Sequence, residues 1–193
     1  MGYHRNMKRL TLDTNAIIEL SQATPPSALS DIVELAGADR VVLQVAAIAG
    51  SERQKGGGQL RSFKLFIERL KQVGLGSARI LKPLAYLNLC YVGWAIPIPV
   101  DGDPTERAIH SILFPRIAFA AKDHCLASDL AGRKRWRNAK CDVLALWCHI
   151  YHGGDVFVTR DRNYFKTSKN ERLEVLGAGV IARPEEALKL VSQ

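Results

Sequence analysis

The stretch from Asp142 to Asp161 leaves this chain few folds to choose from. Asp142 to His152 (DVLALWCHIYH) is apolar around most of a helical surface, Gly153-Gly154 halts it, and Asp155 to Thr159 (DVFVT) follows at once as a short β-branched run. A helix buried on most sides that passes through a two-glycine stop into a doubly buried strand belongs to a parallel sheet covered by helices. The same grammar recurs elsewhere. Arg9 to Asp13 (RLTLD) reads as a strand that runs straight into Thr14, Asn15 and the apolar Ala16 to Leu20. Asp, Thr and Asn all favour helix starts, so the turn is written into the residues. Pro25-Pro26 ends that helix, and Ser30 to Ala36 reads as the next. Arg40 to Leu43 is a buried-strand pattern, with a helix predicted from about Val45 to Gln54. Leu60 to Val73 is amphipathic, Gly179 to Ala182 is a strand, and Pro184 to Val191 a closing helix. The alternation predicts an α/β class with a mostly parallel sheet.

Residues 83–132 are less regular. Ile96-Pro97-Ile98-Pro99 and Asp103-Pro104 mark turns, a capped helix is expected from Thr105 to Leu113, and another over Ile117 to Leu130. At 193 residues the expectation is one domain, 1–193, with room for an insertion. The longest apolar stretch, Leu84 to Val100, is interrupted by Asn88, Gly93, Pro97 and Pro99, so no membrane helix is expected. The first residues carry basic side chains with no apolar run after them. The expected location is therefore the cytoplasm. Of four cysteines, none forms a CxxC pair. His124, Cys125, Cys148, His149 and His152 lack structural-zinc spacing, and the expectation for them is core packing.

Four acids fall where an α/β argument puts a site. Asp13 ends the first strand and Asp161 follows the Val156 to Val158 strand, so both belong at the carboxyl edge of a parallel sheet, where ligands bind. Asp142 is expected to begin the helix that feeds that strand, and Glu52 to lie on the helix after the second strand. Each alone has a plainer explanation: helix caps for Asp13 and Asp142, a turn residue for Asp161, a solvated face for Glu52. Together, four clustered carboxylates repel unless a cation neutralises them. Their oxygen donors suit Mg²⁺ or Mn²⁺.

Leu10 to Asn15 (LTLDTN) resembles the opening motif of PIN-domain nucleases, VapC-like ribonucleases among them. Val42 to Glu52 is similar to that family's strand and helix carrying a second acid, and Asn138 to Phe165 is the nearest match. Leu176 to Leu188 looks like its last strand and helix. The acids lie 39 residues apart from Asp13 to Glu52 and 19 apart from Asp142 to Asp161, spacings that fit the family. The resemblance covers roughly 8–75 and 136–190. It implies a PIN-like twisted parallel sheet flanked by helices, with an enlarged, largely helical middle insertion over about 77–135. It also implies divalent-metal-dependent endoribonuclease activity on single-stranded RNA. On that reading Asp13, Glu52, Asp142 and Asp161 hold the metal and do the catalysis, and Thr14, Asn15 and Thr159 orient the carboxylates. A toxin partnered by an antitoxin protein, and a homodimer, are further expectations.

The chain carries a net charge of +8, which suits a polyanionic partner. Arg133, Lys134, Arg135, Arg137 and Lys140 put five basic residues within eight, with Trp136 among them. A phosphate track, joined by Arg160 and with Trp136 stacking on a base, is one reading. A solvated charge run with Trp136 packed on the core is the other. Two further functions stay open: a catalytically idle PIN-like module that binds RNA or protein, and a metal-dependent DNA nuclease.

Overall fold

The computed structural model describes residues 7–51, 62–126 and 128–192. Five strands form one sheet: β1 (Lys8–Leu12), β2 (Val41–Ala46), β3 (Arg79–Leu81), β4 (Val156–Val158) and β5 (Val180–Ala182). All pairings are parallel, in the order β3-β2-β1-β4-β5. The α/β class with a parallel sheet flanked by helices is therefore correct.

Strand geometry sends alternate side chains to opposite faces, and each face has its own core. Leu10 and Leu12 of β1, with Val156 and Val158 of β4, meet α1 (Thr14–Leu20), α2 (Ser27–Gly37), α3 (Phe63–Gln72) and α8 (Pro184–Val191). Phe157 of β4 and Ile181 of β5 meet α4 (Pro104–Leu113), α6 (Leu130–Tyr151) and α7 (Thr167–Val175) on the other face. A short α5 (Ala121–His124) packs on α6. Caps explain several starts. Asp13 accepts from Thr14 N, Ser62 from Leu65 N, Asp103 from Glu106 N and Asp129 from Gly132 N, each satisfying an amide the helix itself leaves unpaired.

Four sequence expectations change. The helix predicted from Val45 is strand to Ala46 and then a 3₁₀ turn over Ala47–Ser51. Over Ile117 to Leu130 only the four residues of α5 are helical before α6 begins. The middle segment 77–135 is not largely helical. It supplies edge strand β3 and then a turn-rich run to Asp103 before α4. Finally, the helix expected to begin at Asp142 begins at Leu130, capped by Asp129. Its first half is polar on one side and its second half is buried nearly all round, so apolarity alone marked only the second half.

His149 lies wholly inside, its Nε2 bound to Ala178 O (2.8 Å) and its Nδ1 to Thr11 Oγ1 (2.8 Å). Gly154 permits this approach: a Cβ there would stand 2.2 Å from His149 Nδ1. Burial pushes the imidazole down from 6.5 to about 4. The unfolded chain then binds the extra proton first, so this residue's stabilisation is complete above pH 6.5 and is lost as pH falls through about 4. His149→Leu should remove that acid-side loss, read as a flatter urea-midpoint profile between those pH values. An unchanged profile would place the titration elsewhere.

Candidate active site

β1 leads by way of β2 to β3 on one side, and the chain then returns to lay β4 against the other side of β1. The order therefore reverses between β1 and β4. In open α/β sheets, that switch point is where ligands sit, beyond the carboxyl ends of the strands. Asp13 and Asp161 follow those two strands. Leu12 pairs in register with Val158, and Asp13 N donates to Val158 O at 3.0 Å.

Asp13 is only 4% exposed. Its Oδ1 accepts from Thr14 N (2.8 Å). Its Oδ2 accepts from Asn15 Nδ2 and from the Thr159 hydroxyl, both at 2.6 Å. Thr159 Oγ1 in turn accepts from Asn15 Nδ2 (3.0 Å) and Asp161 N (3.1 Å), so one hydroxyl fixes both acidic positions. Asn15 Oδ1 accepts from Arg160 N (3.2 Å). Thr14, Asn15 and Thr159 thus all touch Asp13 or its immediate frame.

Burial pushes the Asp13 carboxyl up from 3.8 to about 6, and the nearby Asp161 charge adds to this against the pull of the three hydrogen bonds. No ion pair compensates Asp13 among the described residues. Thr14 Oγ1, buried beside it, also lacks a hydrogen-bond partner among them. Two interacting carboxylates with no cation beside them offer oxygen donors of the kind that suits a hard divalent ion. Mg²⁺ in particular is held by one or two carboxylates with waters and substrate phosphate rather than by an all-protein cage.

The other proposed ligands stand differently. Asp142 is in the middle of α6, half-buried, and no helix start stabilises its charge. It lies beside the turn after β4. Tyr164 donates its hydroxyl to Asp142 O (3.1 Å) and its N–H to Asp161 O (3.3 Å), tying α6 to the Asp161 turn. Glu52 lies outside the described residues; the Ala47–Ser51 turn before it packs against α6. Among the described residues, no group of three or more His, Cys, Asp or Glu side chains is close enough to hold an ion.

The basic run divides by position along α6. Arg133, Lys134 and Arg135 are exposed on the first turns of α6, and Arg137 is half-buried, donating to Asn88 O. Trp136 packs against the core and donates from Nε1 to Phe119 O (3.1 Å). Lys140 is a correction: it is 0% exposed, its ammonium 2.8 Å from Glu106 Oε1, and it offers nothing to an outside ligand. Arg160 spends its guanidinium on Glu19 (2.8 Å) and on Glu185, joining α1 and α8 to the site's edge. Neither Glu19 nor Glu185 belongs to a motif, so no signal in the sequence marks them as partners of Arg160.

No family model matches the chain, and no curated protein does. Among solved structures, it is similar to FitAcB from Neisseria gonorrhoeae, at 19% identity over 91% of this chain and 98% of that one, with a TM-score of 0.35. It is also similar to FitAB bound to an IR36 DNA fragment, at 19% identity over 91% and 94%, with a TM-score of 0.37. Likeness at this level decides nothing about what the present chain does. No helix among the described residues is long and apolar enough to cross a membrane.

Proposed function

We propose that the chain is a PIN-type, divalent-metal-dependent endoribonuclease acting on single-stranded RNA. The observation that carries this reading is the buried, uncompensated Asp13 coupled to Asp161 at the switch point of the sheet. Asp13, Asp161, Asp142 and Glu52 would hold Mg²⁺ or Mn²⁺. Such an ion supplies an activated water and neutralises charge building on the scissile phosphate. The chain's own residues prepare the site for it. Thr159 and Asn15 hold the Asp13 carboxylate in one orientation by two short hydrogen bonds. The Thr159 hydroxyl also anchors the backbone of Asp161. Arg133, Lys134, Arg135 and Arg137 supply a phosphate-binding surface on α6.

The toxin half of a toxin–antitoxin pair, working in the cytoplasm and as a homodimer, is the biological role that fits this reading. Leu87 and Val92 are almost fully exposed and suit a protein contact.

The test is cleavage of an end-labelled single-stranded RNA by wild type and by Asp13→Asn and Asp161→Asn, in Mg²⁺, Mn²⁺ or EDTA. Metal-dependent cutting by wild type, reduced at least about a hundredfold in either variant, is expected for loss of a transition-state charge contact. RNA binding without any cutting would move the assignment to an idle RNA-binding module. Preferential cutting of DNA would move it to a DNA nuclease.

A further inference from the structure

A groove of about 590 Å³ runs between the first turns of α6, α5 and the turn at Asn88. That volume lies within the roughly 300–1,000 Å³ usual for small-ligand sites. Its lining residues include the basic Arg133, Lys134 and Arg137, the aromatic Trp136 and the amide-bearing Asn88 and Asn138. Its walls are held before any ligand arrives. Arg137 bridges from α6 to Asn88 O, and Asn88 itself adopts φ 61°, a left-handed conformation that Asn tolerates better than most residues. Trp136 is fixed through Phe119 O, with the Lys140 ammonium 5.6 Å from its ring centre.

Because α6 is continuous from Leu130 to Tyr151, the groove and Asp142 sit on one rigid rod. Lys134, Asn138 and Asp142 are spaced i, i+4, i+8 and share one face of it. Eight residues span about 12 Å of helix, which is three or four nucleotides at the ~3.4 Å stacked spacing of a strand and fewer for an extended one.

We infer that this groove is a nucleotide-selecting subsite: it takes one base of the single-stranded substrate a few nucleotides from the scissile phosphate. The inference rests on the nuclease reading above. Three cations answer the flanking phosphates. The indole offers an apolar surface to a base. The two amides each present both a donor and an acceptor, which a base edge can match and a carboxylate side chain, an acceptor only, cannot. An acidic peptide would use the cations and leave the aromatic surface without a stacking partner.

The probe is a set of four labelled single-stranded RNA homopolymers, one per base, titrated in EDTA against wild type and Lys134→Ser/Asn138→Leu. Both positions are exposed, so an unchanged thermal midpoint shows that the variant folds. Wild type should prefer one base. The variant should bind that RNA about tenfold or more weakly, as expected for lost phosphate and base contacts, with the preference gone. Equal affinity in the two proteins overturns the inference, as does a variant that loses affinity for a glutamate-rich peptide and keeps its RNA binding. Adding Mg²⁺ separates the two readings. Selective binding by wild type without cutting rejects the nuclease and keeps the subsite as an RNA contact. Cutting by both proteins at the same rate and positions keeps the nuclease and rejects the subsite.

Discussion

Millimolar Mg²⁺ should raise the thermal midpoint of the wild-type chain at neutral pH and leave that of Asp13→Asn where it was. At a hundred times its dissociation constant, an ion that binds only the folded state adds about 2.7 kcal/mol, or roughly 5–10 °C for a domain of this size. The site is primed for this because Asp13 is buried without a counter-charge and has Asp161 beside it. Its carboxyl titrates near 6 in the folded chain and near 3.8 when exposed. The folded state therefore holds the extra proton between those values. The stability this group contributes is fully present below about 3.8 and is lost as pH rises through about 6. Ionised at neutral pH, it costs the metal-free fold roughly 3 kcal/mol, which a divalent cation can offset. Below pH 6 the proton competes with the ion, so the Mg²⁺-induced shift should shrink there. A midpoint that ignores Mg²⁺ at every pH would remove Asp13 from any metal site.

His149 acts in nearly the same window with the opposite sign. Its stabilisation fades as pH falls from 6.5 to about 4, while that of Asp13 grows. The two nearly offset each other, each being worth on the order of 3 kcal/mol. Replacing Asp13 with Asn removes one side of the balance. The difference between the wild-type and Asp13→Asn urea midpoints, both without metal, should then slope across pH 4–6.

Four of the five strands are legible as short apolar or β-branched runs bounded by turn residues, and their fates decide the site. Asp13 and Asp161 can be placed at the carboxyl edge from sequence since they lie one and three residues beyond such runs. The spatial coupling between them cannot, because it depends on β4 pairing with β1 rather than with β3. The three residues of β3 and the nine of α7 carry no sequence signal, for different reasons. Arg79 to Leu81 is too short to show alternation. Thr167 to Val175 buries only Leu173, so it carries almost no apolar period. Asp142 was misplaced within its helix because the polar first half of α6 resembles a charged linker. Once α6 is known to be continuous, depth along it sorts the basic run: Arg133, Lys134 and Arg135 lie on its exposed first turns and Lys140 in its buried middle.

That buried middle supplies a large stability effect. The Lys140 ammonium and the Glu106 carboxylate meet at 2.8 Å with both side chains almost wholly buried. Tyr86 donates its hydroxyl to both carboxylate oxygens, at 2.7 and 2.9 Å. Burial and that carboxylate push the Tyr86 hydroxyl far up, so it remains a donor. The Phe119 ring centre lies 3.7 Å from the ammonium. This knot joins α4 and the turn-rich segment before it to α6. Lys140→Met would leave Glu106 charged and buried with Tyr86 alone. Removing one partner of such a pair costs about 3–5 kcal/mol, a fall of roughly 6–20 °C in thermal midpoint for a domain of this size. Lys140→Met/Glu106→Gln should recover much of the loss, because the neutral amide still accepts from Tyr86 and no unpaired charge remains. Lys134→Met, in the same basic run but at its exposed start, should shift stability by no more than about 0.5 kcal/mol. Equal losses at Lys134 and Lys140 would contradict the division of that run into an exposed start and a buried end. Calorimetry on the four proteins decides it, and the expected ranking is wild type and Lys134→Met together, then the double variant, then Lys140→Met.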